Sequence, residues 1–315
     1  MKVIFYSTKL AEKNLLIKAN EKKHDLTFVS KALNIQTVAD AKEMDAVAVF
    51  TSDEVTASVM LKLSALGVKY IVTRSVGTDH IDQETARKNK IQVANIPVYS
   101  PQAIAEHTVA LALALSRHLI LADRQCREFN FSLDHLTGFN FYGKTVGLIG
   151  LGHIGTATAL IFQGLGCKIL GYDIQQKNIK DVEFVDLDTL YQKSDIISIH
   201  TPLTPETKHL INEKSLLKMK DGVMIINTAR GDIIKTTAAL SALKSGKIGY
   251  LGLDVYEYEK GLFFEDHEVD GIRDAILSEL MSYSNVLISP HQAFLTNEAL
   301  EEIAKRTINI LDDWS

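Results

Sequence analysis

Gly150-Leu151-Gly152-His153-Ile154-Gly155 stands near the middle of a 315-residue chain, and its surroundings constrain the fold more than any other feature. The apolar run Thr145–Gly150 leads into it and a helical pattern leads out. The next apolar run, Lys168–Asp173, ends on a carboxylate. Three glycines alone are a weak signal, but in a strand–turn–helix–strand context they form a dinucleotide-binding turn. Gly150 makes the tight turn, Gly152 lets the backbone approach a pyrophosphate, Gly155 permits close helix–strand packing, and the helix N-terminus favours phosphate charge. Asp173 is placed to accept from ribose hydroxyls and to repel a 2′-phosphate, and Ile174, Gln175 and Gln176 supply no arginine for one. The expected cofactor is NAD; NADP, a methyl-donor nucleotide and a vestigial turn are the alternatives.

The rest of the chain repeats this alternation. Val3–Ser7, Ala46–Phe50, Tyr70–Val76 and Ile91–Ile96 read as short strands, with a helical pattern over Glu54–Leu66. A second series follows Gly143: Thr145–Gly150, Lys168–Asp173, Asp195–His200, Val223–Thr228, Gly249–Asp254 and Asn285–Pro290. Runs that are apolar on both faces and separated by helices indicate parallel sheets covered on both sides. Between the series, Ser100-Pro101 opens one long apolar helix through Ile120, and residues 296–314 read as an amphipathic helix burying Leu300, Ile303, Ile308 and Leu311. The expected architecture is α/β: two Rossmann-like or flavodoxin-like parallel-sheet domains with a cleft between them. Residues 1–99 with 294–315 form a discontinuous substrate domain, and 100–293 the nucleotide domain.

Composition removes other classes. With 34 Lys and Arg against 39 Asp and Glu, the net charge is −5, which argues against nucleic-acid and anionic-membrane partners. The first apolar run stops at Tyr6, short of a signal-peptide core, and no apolar stretch reaches the ~20 residues of a membrane span. Cys126 and Cys167 lack metal-type spacing and read as buried free thiols of a cytoplasmic protein, and no His/Cys grouping indicates a metal.

The strands of the second series end in Asp173, His200-Thr201-Pro202, Thr228-Ala229-Arg230, Asp254 and Pro290-His291. Ligands bind outside the carboxyl ends of an open parallel sheet, so a site is expected there. Water-facing strand ends are polar in any case, and each residue has an ordinary structural alternative; five in succession around a nucleotide turn favour a site. Arg230 suits a bidentate clamp on a carboxylate. His291 with Glu259 suits a general acid and base, because a carboxylate neighbour favours the protonated imidazole. His80, His107, His118 and His153 read as core, spacer or turn residues.

Seven segments then show a resemblance over essentially the whole chain. RSVGTDHID (74–82), VYSPQAIAEHTVAL (98–111), GKTVGLIGLGHIG (143–155), HTPLTPET (200–207), NTARGDII (227–234), GLDVYEYE (252–259) and SPHQAFLT (289–296) resemble the D-isomer-specific 2-hydroxyacid dehydrogenases. GLFFEDH (261–267) resembles the fermentative D-lactate branch. The resemblance implies reduction of pyruvate to D-lactate with NADH. It implies Arg230 as carboxylate anchor, His291 as proton donor and Glu259 as its partner. Backbone N–H groups at Val76 and Gly77 would hold the carboxylate, and Tyr99 and Phe294 would wall the substrate pocket. His153, Ile154, Asp173, Thr201, Pro202, Thr207, Thr228, Ala229, Arg230 and Asp254 fall where the family contacts NAD, although some relatives carry asparagine in place of Thr207. A homodimer or homotetramer is implied as well. Larger 2-oxo acids, such as 2-oxoisocaproate or phenylpyruvate, remain open as substrates, and an NAD(H)-sensing corepressor is the rival from another class.

Overall fold

A computed structural model describes residues 1–175 and 178–315, so Gln176 lies outside the described residues. The chain divides into two compact units, residues 1–100 with 295–315, and residues 101–294.

The first unit runs β1 (Lys2–Phe5), α1 (Leu10–Asn20), β2 (Asp25–Phe28), β3 (Ala46–Val49), α2 (Ala57–Ala65), β4 (Tyr70–Thr73), α3 (Gln83–Lys88) and β5 (Gln92–Asn95). Its five strands lie in the order β2-β1-β3-β4-β5, all parallel. Every residue of β3 is buried, as expected of a central strand covered on both faces.

The second unit comprises α4 (Pro101–Ser116), α5 (Leu119–Arg127), β6 (Thr145–Ile149), α6 (His153–Gly164), β7 (Lys168–Tyr172), β8 (Val182–Phe184), α7 (Leu187–Lys193), β9 (Ile196–Ile199), α8 (Glu213–Lys218), β10 (Val223–Asn227), α9 (Thr236–Lys244), β11 (Ile248–Leu253), α10 (Ala275–Met281) and β12 (Val286–Ile288). Its seven strands lie in the order β12-β11-β10-β9-β6-β7-β8, again all parallel. The switch point, where the strand order reverses, falls at β6 and β9, with the glycine turn directly after β6.

The chain then returns to the first unit as α11 (Asn297–Asp313), capped by the Thr296 hydroxyl, which accepts from Ala299 N–H. Leu300, Ile303, Ile308 and Leu311 are buried on it, and Trp314 stacks on Tyr70 at 5.0 Å between centroids. Burial of each such aliphatic side chain is worth about 1.5–3 kcal/mol. His24 and Lys23 both pair with Asp312, tying the last turn of α11 to the connection between α1 and β2.

Two expectations are corrected, and two strands are added. The apolar helix from Pro101 is not continuous through Ile120: His118 adopts φ +51° and α5 departs at 61° to α4. The Ser116 carbonyl accepts from Phe139 N–H in place of a further helical turn. Cys126 lies exposed on α5 rather than buried, whereas Cys167 is half-buried and desolvation pushes its thiol pKa up to about 11. β2 and β8 had no apolar run to announce them; both are edge strands with alternating exposure. Among the described residues, no single helix is long and apolar enough to cross a membrane, and no cluster of three or more His, Cys, Asp or Glu could hold a metal.

Candidate active site

The glycine turn comes first because the sheet places it. Gly150 has φ +92°, and a Cβ there would sit 2.6 Å from the His200 carbonyl oxygen of the neighbouring strand end. A Cβ on Gly155 would sit 2.0 Å from Gly150 O, so α6 packs as closely as it does on the end of β6 only with glycine at position 155. Gly152 is different. A Cβ there would meet nothing within 4 Å, which leaves open space at the N-terminus of the twelve-residue helix α6. That space, beside backbone N–H groups and the positive end of the helix, is the chemistry a pyrophosphate requires.

Asp173 follows β7 and stays beside this turn. Its Oδ2 accepts from Leu151 N–H at 2.7 Å and its Oδ1 from Gln175 N–H at 2.8 Å. An ionised carboxylate offers about four acceptor positions, so both oxygens retain capacity for ribose hydroxyls. The residues present therefore fit a dinucleotide. Beyond β9, Thr207 Oγ1 donates to Pro202 O at 2.7 Å and accepts from Thr204 N–H at 2.7 Å, closing the Thr201–Thr207 loop.

His200 follows β9, with Nε2 2.9 Å from the Ser198 hydroxyl. Desolvation holds its imidazole pKa down at about 3, so the ring is neutral under all ordinary conditions. The unfolded chain binds a proton here below about pH 6.5 and the folded chain does not, so this group costs stability as pH falls from there toward 3. A His200→Asn variant is expected to lose less Tm than wild type between pH 7 and pH 4.5. Parallel Tm curves would show that His200 has no part in acid lability.

At the end of β10, Asn227 is fully buried and braces the turn that follows: its Oδ1 accepts from Ala229 N–H at 3.0 Å, and its Nδ2 donates to Arg230 O at 2.9 Å. Thr228 is pinned too. Thr108 Oγ1 donates to Ile104 O at 2.7 Å, so the 2.8 Å contact between the two threonines runs from Thr228 to Thr108. Arg230 emerges half-buried with Nη1 donating to Ala229 O at 2.7 Å.

Glu259 and His291 meet. Glu259 Oε2 accepts from Tyr256 N–H at 2.9 Å, while Oε1 lies 2.9 Å from His291 Nδ1. A carboxylate only accepts, so Nδ1 carries a proton and Nε2 is the nitrogen left to work. The Phe264 ring lies 5.5 Å from the imidazole, centroid to centroid.

His291 has φ +55°, a left-handed conformation that costs a β-carbon residue about 1–2 kcal/mol. Asp254 holds it there. Its backbone O accepts from His291 N–H at 2.8 Å, and its carboxylate, 1% exposed, accepts from Gln292 N–H at 2.9 Å, Ala293 N–H at 2.8 Å and Ser289 Oγ at 2.6 Å. His107 completes the group: Nε2 lies 3.0 Å from Ser289 Oγ and 3.3 Å from Asp254 Oδ1. Because Ser289 donates to Asp254, the His107 Nε2–H must donate to Ser289. His107 thus lies one hydrogen bond behind the His291 turn, a placement that its reading as a core or spacer residue missed. Glu106-His107-Thr108, three polar residues inside an otherwise apolar helix, is the signal that could have found it.

In the first unit, Val76 and Gly77 follow β4 in an exposed loop, and Tyr99 is half-buried near the end of that unit. Phe294, half-buried, ends the second. His153 and Ile154 form the first turn of α6.

Comparison with known proteins then decides the family. The model of the D-isomer specific 2-hydroxyacid dehydrogenase NAD-binding domain matches residues 109–293. The chain belongs to the D-isomer specific 2-hydroxyacid dehydrogenases. It is an NAD-dependent dehydrogenase, and the matched stretch contains the glycine turn, Asp173, Arg230, Asp254, Glu259 and His291. It is 46% identical to a 2-hydroxyacid dehydrogenase homolog of Haemophilus influenzae, over 98% of this chain and 95% of that protein. It is 43% identical to the D-lactate dehydrogenase of Escherichia coli, over 99% and 96%. Among solved structures, the pyruvate reductase of Chlamydomonas reinhardtii is similar at 41% identity and a TM-score of 0.92, covering 100% of this chain and 96% of that one. The dehydrogenase therefore shares both parallel-sheet units with these relatives.

Proposed function

We propose that this dehydrogenase reduces pyruvate to D-lactate with NADH. The observation that carries the reading is the Glu259–His291 pair at 2.9 Å, seated on a left-handed turn at the carboxyl end of the same sheet that carries the glycine turn. The names of relatives at 41–46% identity, a D-lactate dehydrogenase and a pyruvate reductase among them, support the substrate.

NADH supplies the hydride when bound, held by the glycine turn, His153, Ile154, Asp173 and the strand ends Thr201, Pro202, Thr207, Thr228, Ala229 and Asp254. Arg230 presents a planar fork to the substrate carboxylate, a geometry that a lysine cannot match. The N–H groups of Val76 and Gly77 are assigned to the carboxylate as well, and Tyr99 and Phe294 to the methyl group of the substrate. Protonated His291 gives its Nε2 proton to the carbonyl oxygen as charge develops there, while Glu259 keeps the Nδ1 proton in place and offsets the imidazolium charge. In the reverse direction neutral His291 accepts the hydroxyl proton. The test is NADH oxidation at 340 nm with pyruvate, 2-oxoisocaproate and phenylpyruvate, with chiral analysis of the product. Fast turnover of pyruvate to D-lactate is expected. Preference for a longer acid would move the substrate, and absence of turnover on all three would overturn the reading.

The proposed assembly is a homodimer or homotetramer. Helix α5 buries none of its residues, and Leu119, Ile120, Phe129, Phe131, Leu133 and Tyr142 are exposed on it or on the segment after it. That much exposed apolar surface in one stretch favours self-association. Light scattering is expected to give two or four times the 34.9 kDa chain mass, and a monomer would overturn this assignment. The proposed site of action is the cytoplasm.

A further inference from the structure

The loop after β4 is built from its carbonyls outward. Asn95, the last residue of β5, donates from Nδ2 to Val76 O at 2.6 Å. Ser75 donates from Oγ to Gly77 O at 2.8 Å. A serine hydroxyl has one proton, so the 2.7 Å contact between Thr73 Oγ1 and Ser75 Oγ must run from Thr73 to Ser75. Thr73 is then an acceptor for His80 Nε2, 3.2 Å away, which fixes that nitrogen as the protonated one. The result is a directed chain, His80 to Thr73 to Ser75 to Gly77 O. Both ends of the loop are pinned as well: Arg74 N–H donates to Val49 O at 2.9 Å and Ile96 N–H to Ser75 O at 3.1 Å.

The carbonyls of Val76 and Gly77 are thus each held by a side chain, whereas among the described residues neither N–H of the pair has a protein acceptor. Two consecutive N–H groups left open in a loop whose carbonyls are clamped form a prepaid anion receptor. From this geometry we infer that Asn95 and Ser75 are positioning residues for substrate: they fix the two peptide planes so that the Val76 and Gly77 N–H groups face the carboxylate of the 2-oxo acid. The inference rests on the reading of the substrate given above. It adds residues that touch neither substrate nor cofactor and act on carboxylate affinity alone.

The experiment uses the full enzyme with NADH and compares Asn95→Ala, Ser75→Ala and Ser75→Thr with wild type. Three quantities are read: steady-state kcat and KM for pyruvate, the Kd of oxamate for the NADH complex, and the Kd of NADH itself. Loss of either clamp is expected to raise pyruvate KM and oxamate Kd about tenfold, the equivalent of one hydrogen bond to a charged group. NADH Kd is expected to stay put and kcat to change little, and Ser75→Thr, which keeps the hydroxyl, to restore most of the affinity. A merely structural role would lower kcat, NADH affinity and thermal stability together, and that pattern would overturn the inference, as would unchanged oxamate binding in both alanine variants. Should wild type itself fail to turn over pyruvate, the substrate reading falls, and that result is separable from a failure confined to the variants. If one alanine variant does not fold, the other tests the same two-carbonyl clamp from its opposite end.

Discussion

Replacing Arg230 by Gln is expected to lower kcat/KM for pyruvate about 10²–10³-fold while leaving NADH affinity within about twofold of wild type, because a charged, bidentate contact with a carboxylate is worth several kcal/mol and is lost with the guanidinium. The fold should survive. The turn that presents residue 230 is braced through its backbone by Asn227, whose side chain spans Ala229 N–H and Arg230 O, and those bonds do not involve the guanidinium. Arg230→Lys keeps the charge and loses the fork, so it should recover only part of the loss. Steady-state kinetics with pyruvate and a fluorescence titration with NADH check both halves. Normal turnover in Arg230→Gln would remove the arginine from the reaction, and a parallel loss of NADH affinity would move it from the substrate to the cofactor.

The legible parts of this molecule are those where one physical requirement acts on consecutive residues. Central strands of a parallel sheet are covered on both faces, so β3, β9 and β10 are wholly buried and read as apolar runs. Because ligands gather at carboxyl ends of such strands, the polar residues that end those runs (Asp173, Arg230, Asp254 and His291) stand out in the sequence alone. Edge strands carry no such requirement, and the Asp25–Phe28 and Val182–Phe184 segments passed unnoticed. The break at His118 was hidden for a different reason. Apolar periodicity runs straight through it, and what ends α4 is a bond from Phe139, more than twenty residues later in the chain. Long-range partners are what the sequence leaves out even where it marks a residue: the polar interruption of α4 singles out His107 but not its partners Ser289 and Asp254, and nothing in the sequence ties Asn95 to Val76 on the neighbouring strand. Spacing along the chain carries no record of such pairings.

The His291 turn gives the second large effect and dictates which substitution reveals it. Asn tolerates the left-handed backbone that residue 291 adopts at φ +55°, whereas Ala there adds strain to the loss of the ring. His291→Asn should therefore keep the amide ladder onto Asp254 and a Tm near that of wild type, and lose only the proton donor. A positioned general acid contributes about 10²–10⁴ in rate, so kcat for pyruvate reduction should fall by that factor with NADH binding intact. The pH profile carries the sign. Reduction needs the protonated imidazole and lactate oxidation the neutral ring, so the wild-type reduction profile should carry a limb that falls toward alkaline pH and the oxidation profile one that falls toward acid pH. His200 cannot account for either limb, since its ring stays neutral above about pH 3. Both limbs should vanish from the residual activity of His291→Asn. Glu259→Gln, which still offers an oxygen to the Nδ1 proton but no charge to the imidazolium, should fall between that variant and wild type. Retention of the wild-type limbs in His291→Asn would assign the proton transfer to another group.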